Sequence, residues 1–107
     1  MAVDFEKVIR IATEYSNSVR QVLSVDKVFL FGSFAKGTAT ELSDVDICFF
    51  LNDFGDRSRV DIIGELLRLC RVYKGAFFEP IAFQTSEIER GNPFVKEILS
   101  LGIEIYK

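Results

Sequence analysis

Histidine is absent from the 107 residues of this chain. Without an imidazole there is no Ser/His/Asp or Cys/His nucleophile arrangement and no histidine-based metal centre. Any catalysis has to run on carboxylates, hydroxyls, lysine or arginine, and a hard metal ion. Cysteine is scarce: Cys48 and Cys70 stand alone, far apart and among apolar neighbours. Their spacing fits neither a zinc site nor a redox pair, so both are expected as buried free thiols.

Long runs of one kind are missing too. Thirteen basic residues against sixteen acidic ones leave a net charge of −3 with the signs interspersed, and no basic stretch is suited to a nucleic-acid backbone. A polymer substrate is therefore not favoured, and direct nucleic-acid binding is not expected. No apolar stretch reaches the length of a membrane span, and acidic residues occupy the N-terminal region where a secretory signal would be basic and then apolar. A cytoplasmic protein is expected. No repeat, linker or low-complexity tract interrupts the sequence.

What is there is ordinary globular composition, 49% apolar and 27% charged, in a length that predicts a single domain over residues 1–107. Phe5, Val8, Ala12, Tyr15, Val19 and Val22 step by three and four and predict an amphipathic helix over roughly residues 4–24. Residues 27–31 form a short apolar run closed by Gly32 and read as a buried strand. Residues 33–43, rich in Gly, Thr, Ser and Ala, read as a loop with one helical turn, and residues 44–51 as the next strand.

Ser58 with Asp61 resembles a capping box for a second helix, which carries Ile62, Ile63, Leu66, Leu67, Cys70 and Tyr73 inward and ends near Gly75. Residues 76–83 form a third strand, and Pro80 marks it as an edge strand or an interrupted one. Ser86 with Glu89 gives another capping-box pattern for a short turn. Pro93 sits at the first position of a last helix that Gly102 stops, with Ile98 and Leu99 inward, and residues 103–106 form a final short strand. The order predicts a small α/β or α+β domain, a mixed sheet with helices packed on it.

Asp44 and Asp46 raise the chemical question. Alternate residues of a strand share a face, so two carboxylates are expected a few ångströms apart at the head of a buried strand. Burying them unpaired costs several kcal/mol, roughly the penalty for ions in protein interiors. A divalent cation such as Mg²⁺, which prefers carboxylate oxygens and keeps water and phosphate as other ligands, answers that cost economically. The plainer alternative is that Asp44 caps the loop and Asp46 is a solvated strand end. Gly32 and Ser33 upstream weigh against it, since glycine permits close backbone approach and Ser33 offers a hydroxyl and an N–H to a phosphate.

Three look-alikes fail. Residues 32–38 lack the lysine that a P-loop places directly after its second glycine, Thr38 standing there instead. Asp44 does not open an EF-hand, since Cys48 occupies the position of the third oxygen ligand and the glycine is missing. Asp53-Phe54-Gly55 spells a kinase tripeptide without the rest of a kinase and reads as a turn.

Gly32-Ser33, ten intervening residues and Asp44-Val45-Asp46 resemble the signature of the nucleotidyltransferase superfamily that includes DNA polymerase β. The short length and the ending "NPFVKEILSLGIEIY" resemble its minimal nucleotidyltransferase branch, whose members are frequently antitoxins paired with HEPN-domain toxins. The resemblance implies the nucleotidyltransferase fold, two Mg²⁺ ions held by Asp44 and Asp46, and nucleotide phosphates bound by Gly32 and Ser33. It places Lys36 where relatives carry a basic residue, the alternative being a solvated loop lysine. Glu79 is offered as the third carboxylate ligand, where many relatives have Asp, the alternative being an edge-strand carboxylate facing water. A metal-bound carboxylate then receives or directs the acceptor's proton, as no histidine is available.

The implied activity is transfer of AMP from ATP to a hydroxyl, by resemblance a tyrosine of a HEPN toxin, which makes the chain an antitoxin. Two alternatives stay open. One is a non-catalytic antitoxin that masks its partner, and the other is a small-molecule transferase similar to the aminoglycoside enzymes, completed by a second chain. Either way a partner protein or a second copy is expected to supply the other wall of a shallow site. Tyr106 is expected as the last apolar anchor rather than as a modification site.

Overall fold

Helix α1, Phe5–Arg20, starts where the Asp4 carboxylate accepts the Lys7 N–H at 3.0 Å, satisfying one of the donors that a helix leaves unpaired at its beginning. The structure, a computed structural model, describes residues 4–40 and 43–106. The helix stops at Arg20, short of the predicted residue 24, because the chain turns: Leu23 N–H bonds the Val19 carbonyl and Val25 N–H the Leu23 carbonyl. Val8, Ala12, Tyr15 and Val19 are buried as the periodicity requires, while Val22 lies in the turn and Phe5 at the first position, and both are exposed.

Strand β1, Val25–Phe31, starts two residues earlier than expected and leads through Gly32 into α2, the single helical turn Ser33–Lys36. Strand β2, Val45–Leu51, leaves Asp44 just outside it, and residues 41 and 42 of the predicted loop lie outside the described residues. Helix α3, Arg59–Cys70, has the full capping box of Ser58 and Asp61 and ends before Tyr73. Strand β3, Phe78–Gln84, is followed by a 3₁₀ turn, Thr85–Ile88. The expected cap at Ser86 is not made: Gln84 precedes the turn without a side-chain bond, and Glu89 ends it with its N–H on the Ser86 carbonyl. Thr85 instead donates its hydroxyl to Asp26. Helix α4, Pro93–Leu101, is capped by Asn92, and β4 is only Ile103–Glu104.

The strands lie in the order β3-β2-β1-β4. Strand β2 runs antiparallel to β1 and parallel to β3, and β4 is antiparallel to β1, so the sheet is mixed, as expected. Pro80 falls on an edge strand, the position that tolerates a residue without an N–H.

Both faces of the sheet are covered, which explains why β2 reads as a nearly continuous apolar run. Val45, Ile47, Phe49 and Leu51 join Val28 and Leu30 under α1 and α3. Cys48 and Phe50 join Phe29 and Phe83 under Val95 and Ile98 of α4. Tyr15 ties the first layer together, stacking edge-on against Phe49 at 5.4 Å and donating its hydroxyl to the Leu66 carbonyl at 2.6 Å.

Of the two thiols, Cys48 is fully buried as expected, and its desolvation pushes the thiol pKa well up. Cys70 is only half-buried, because α3 ends there and its sulfur turns back to the Leu67 carbonyl. Tyr106 is 71% exposed and donates to the Glu104 carboxylate, so it is not the apolar anchor; Ile105, beside it, is. Among the described residues no helix is long and apolar enough to cross a membrane.

Candidate active site

On the face that α4 covers, one row of side chains is covered only in part: Phe31 packs on Phe94, while the acids beside it stay open. Across the sheet, Phe31 of β1 is opposed to Asp46 of β2, and Asp46 to Glu79 of β3. Directly opposed residues present their side chains on the same face, so Asp46 and Glu79 are neighbours at the end where β2 and β3 begin. The next rows inward on that face, Cys48 and then Phe50, are apolar and packed under the helix. Asp46 is therefore tolerated on a buried strand because the helical layer ends before it.

Electrostatics shows how close the acids are. Burial holds the Asp46 carboxyl above the usual carboxylate range, and the Glu79 charge, a carboxyl–carboxyl hydrogen bond with Glu79 and the Asp44 charge push the same way. Asp44 itself is exposed and precedes the strand rather than belonging to it, so its proximity comes from the turn into β2 and not from strand alternation. Glu79 is exposed on the edge strand. Among the described residues, Lys and Arg form ion pairs with other acids and none with these three.

Gly32 closes the site from the β1 side. Its φ of 69° and ψ of −142° suit glycine, and a β-carbon there would overlap the Asp46 carboxylate. Ser33 follows as the first residue of α2 and is half-buried. Gly37 ends the turn in the left-handed conformation, and Thr38 N–H bonds back to the Ser33 carbonyl at 3.0 Å. The structure thus brings Gly32, Asp46 and Glu79 together, with Asp44 and Ser33 adjoining.

Lys36 goes elsewhere. Its ammonium is exposed, 4.0 Å from Glu97 of α4, and it lines a cavity of about 180 Å³ between α2 and α4 together with Phe31, Gly32, Ala35 and Phe94. The α4 side of this cavity was not legible in the sequence, since an aromatic residue just inside a Pro-started helix is too common a pattern to mark a site.

The donor set is all oxygen, suited to a hard divalent cation. Among the described residues, no three His, Cys, Asp or Glu side chains already stand as a metal cage. The raised proton affinity of Asp46 is nonetheless what burial, together with crowding of acids without a counter-charge, produces, and a cation is the group that would relieve it.

A fold of this kind with acids beside a Gly-Ser turn defines a class. The chain belongs to the nucleotidyltransferase domain family, whose sequence pattern it matches over residues 12–103. Among solved structures, a candidate nucleotidyltransferase from Sulfolobus solfataricus shares the fold with a TM-score of 0.72 at 20% identity, over 96% of this chain and 83% of that one. A toxin–antitoxin crystallised with AMP-PNP superimposes with a TM-score of 0.52 at 15% identity, over 96% of this chain and 73% of that one. The fold class expected from the sequence is thereby shown, and a general nucleotidyltransferase role is supported. No curated protein sequence matches the chain significantly.

Proposed function

We propose that this chain is a minimal, single-domain nucleotidyltransferase that moves AMP from ATP to a hydroxyl of a partner protein, a tyrosine of a HEPN toxin, and so acts as its antitoxin in the cytoplasm. The observation that carries the reading is the register pairing of Asp46 with Glu79 beside Gly32, with the Asp44 charge acting on the same carboxyl. The toxin–antitoxin neighbour with its nucleotide analogue supports a protein partner and a nucleoside triphosphate donor.

Asp44, Asp46 and Glu79 would hold Mg²⁺, which supplies charge stabilisation to the phosphoryl oxygens as negative charge builds on them. Gly32 lets the backbone come close to the nucleotide, and Ser33 offers its hydroxyl and N–H to the phosphates. Lys36 is available to the triphosphate, since an exposed ion pair such as that with Glu97 is worth only about 0–1 kcal/mol. The acceptor oxygen forms a bond to the α-phosphorus as the bond from that phosphorus to the bridging oxygen breaks, and pyrophosphate leaves. The hydroxyl proton passes to a carboxylate of the Asp46–Glu79 pair, since the chain has no histidine to receive it.

The test is incubation of the chain with each α-labelled nucleoside triphosphate, Mg²⁺ and the protein encoded by the neighbouring gene, followed by intact-mass measurement of both proteins. Addition of one or more AMP units to the partner is expected. Asp44→Asn together with Asp46→Asn should lower transfer at least ~100-fold, the scale of a lost electrostatic stabiliser, and abolish protection from the toxin. Because no three acids stand as a ready cage, a second reading is a masking antitoxin without transfer. It predicts that protection survives the double substitution.

A further inference from the structure

We infer that the cavity between α2 and α4 is the seat of the nucleobase of the donor nucleotide. The inference rests on the nucleotide reading above and adds to it where the base lies. Gly32 is shared: a β-carbon on it would overlap the Asp46 carboxylate, and it also lines the cavity, so a ligand with its phosphates at the Gly32–Ser33 turn has this cavity as its adjoining recess. Two other cavities among the described residues, around Asp53–Arg57 and around Cys70–Phe78, do not include Gly32 or Ser33. Phe78, in the second, belongs to the core on the opposite face of the sheet from Glu79.

Size and chemistry fit one flat ring system. The volume of about 180 Å³ is somewhat above the ~150 Å³ of an engineered cavity that takes benzene, and far too small for a whole nucleotide. The walls are apolar and aromatic: Phe31 and Phe94 meet edge to face at 5.6 Å, and Ile98 and Leu101 close the α4 side. Phe94 is 42% exposed and Leu101 55%, a large apolar area to leave uncovered beside a polar site. At the mouth, Glu97 supplies an acceptor for the N–H groups of a base edge, and its exposed pairing with Lys36 is weak enough for a ligand to open. Base stacking on aromatic side chains needs no particular sequence of hydrogen bonds, which suits a wall built from Phe94.

The experiment compares equilibrium binding of ATP and of inorganic tripolyphosphate, each with Mg²⁺, to the unaltered chain, to Phe94→Ala and to Leu101→Trp. The first substitution removes the aromatic wall; the second fills the recess from an exposed position. The unaltered chain is expected to bind ATP about tenfold or more tighter than tripolyphosphate, the scale of one stacked base, and both variants to lose that advantage while holding tripolyphosphate as before. Retained tripolyphosphate binding also shows that the variants are folded, and if Phe94→Ala loses both ligands through misfolding, Leu101→Trp decides. Equal affinity for the two ligands in the unaltered chain, or unchanged ATP affinity in the folded variants, overturns the base seat and leaves the phosphate site standing. Failure of the unaltered chain to bind either ligand overturns the nucleotide reading and this inference together.

Discussion

Asp46 is caught between two demands. Its position on β2 places the carboxyl in a partly desolvated row, beside Glu79 and within the field of Asp44, so its folded pKa lies above that of the unfolded chain. An acid with a raised folded pKa binds more protons in the native state, and stability is lost as pH rises from the ordinary aspartate value through the raised one. Without divalent cations, Asp46→Asn should therefore melt higher than the unaltered chain near neutral pH. The gain is roughly 0.5 kcal/mol, the size of one relieved like-charge pair on a sheet, or a few degrees in Tm. The difference should shrink as pH falls through the raised value and be lost below the ordinary aspartate value, where the carboxyl is protonated in both states. Added Mg²⁺ should reverse the order by stabilising only the unaltered chain; thermal melts with EDTA and with Mg²⁺ check both statements. At this scale the sequence was informative. Asp44, Asp46, Gly32 and Ser33 are legible because their spacing in the chain reflects a turn between adjacent strands. Glu79 was less so, since only sheet register says that it stands opposite Asp46 rather than one residue away, facing the other side.

Elements were legible where side chains speak for the local backbone. The capping box of Ser58 and Asp61, Pro93 at the first turn of α4 and the core face of α1 all follow from local hydrogen bonding or periodicity. Misses fall at the ends, where a neighbouring segment decides. Val22 keeps the helical spacing yet is exposed because the chain turns into β1, and Ser86 caps nothing because the 3₁₀ turn starts one residue before it, at Thr85, whose hydroxyl bonds Asp26 of a distant strand. The junction of β1 with α2 is where an element boundary carries chemistry. Gly32→Ala places a β-carbon at φ 69° and against the Asp46 carboxylate. A cost of about 1–3 kcal/mol is expected, as for other strained backbone positions, and it should appear as a lowered Tm. Because the same β-carbon displaces a carboxylate, the variant should also lose most of the Mg²⁺-dependent rise in Tm. A merely structural role for Gly32 predicts that the rise survives.

On the scale of the whole molecule, the four strands and four helices of the described residues leave Asp44 and Glu79 open to solvent along the β3 edge. Asp44 and Glu79 are exposed, and a site so shallow encloses little of an acceptor. Under the antitoxin reading the second wall belongs to the partner. Sedimentation of the chain with the neighbour-encoded protein is expected to show a stable complex at micromolar concentration, and two independent boundaries would count against it. Pro80 on the exposed edge discourages strand-to-strand pairing, so the contact is expected through side chains rather than by extension of the sheet.

By itself the sequence determined which groups are available for chemistry: no imidazole, two aspartates at a fixed distance from a Gly-Ser turn, and enough periodic apolar residues for helices on a sheet. Those properties are local, set by residue type and by the few bonds between neighbours. Tertiary structure decided which acids meet and what stands beside them. Placing β3 parallel to β2 sets Glu79 next to Asp46, and laying α4 over the inner rows alone leaves that pair uncovered with a cavity at its side. Such neighbours are far apart along the chain, and only the packing of one layer on another brings them within reach of the same ligand.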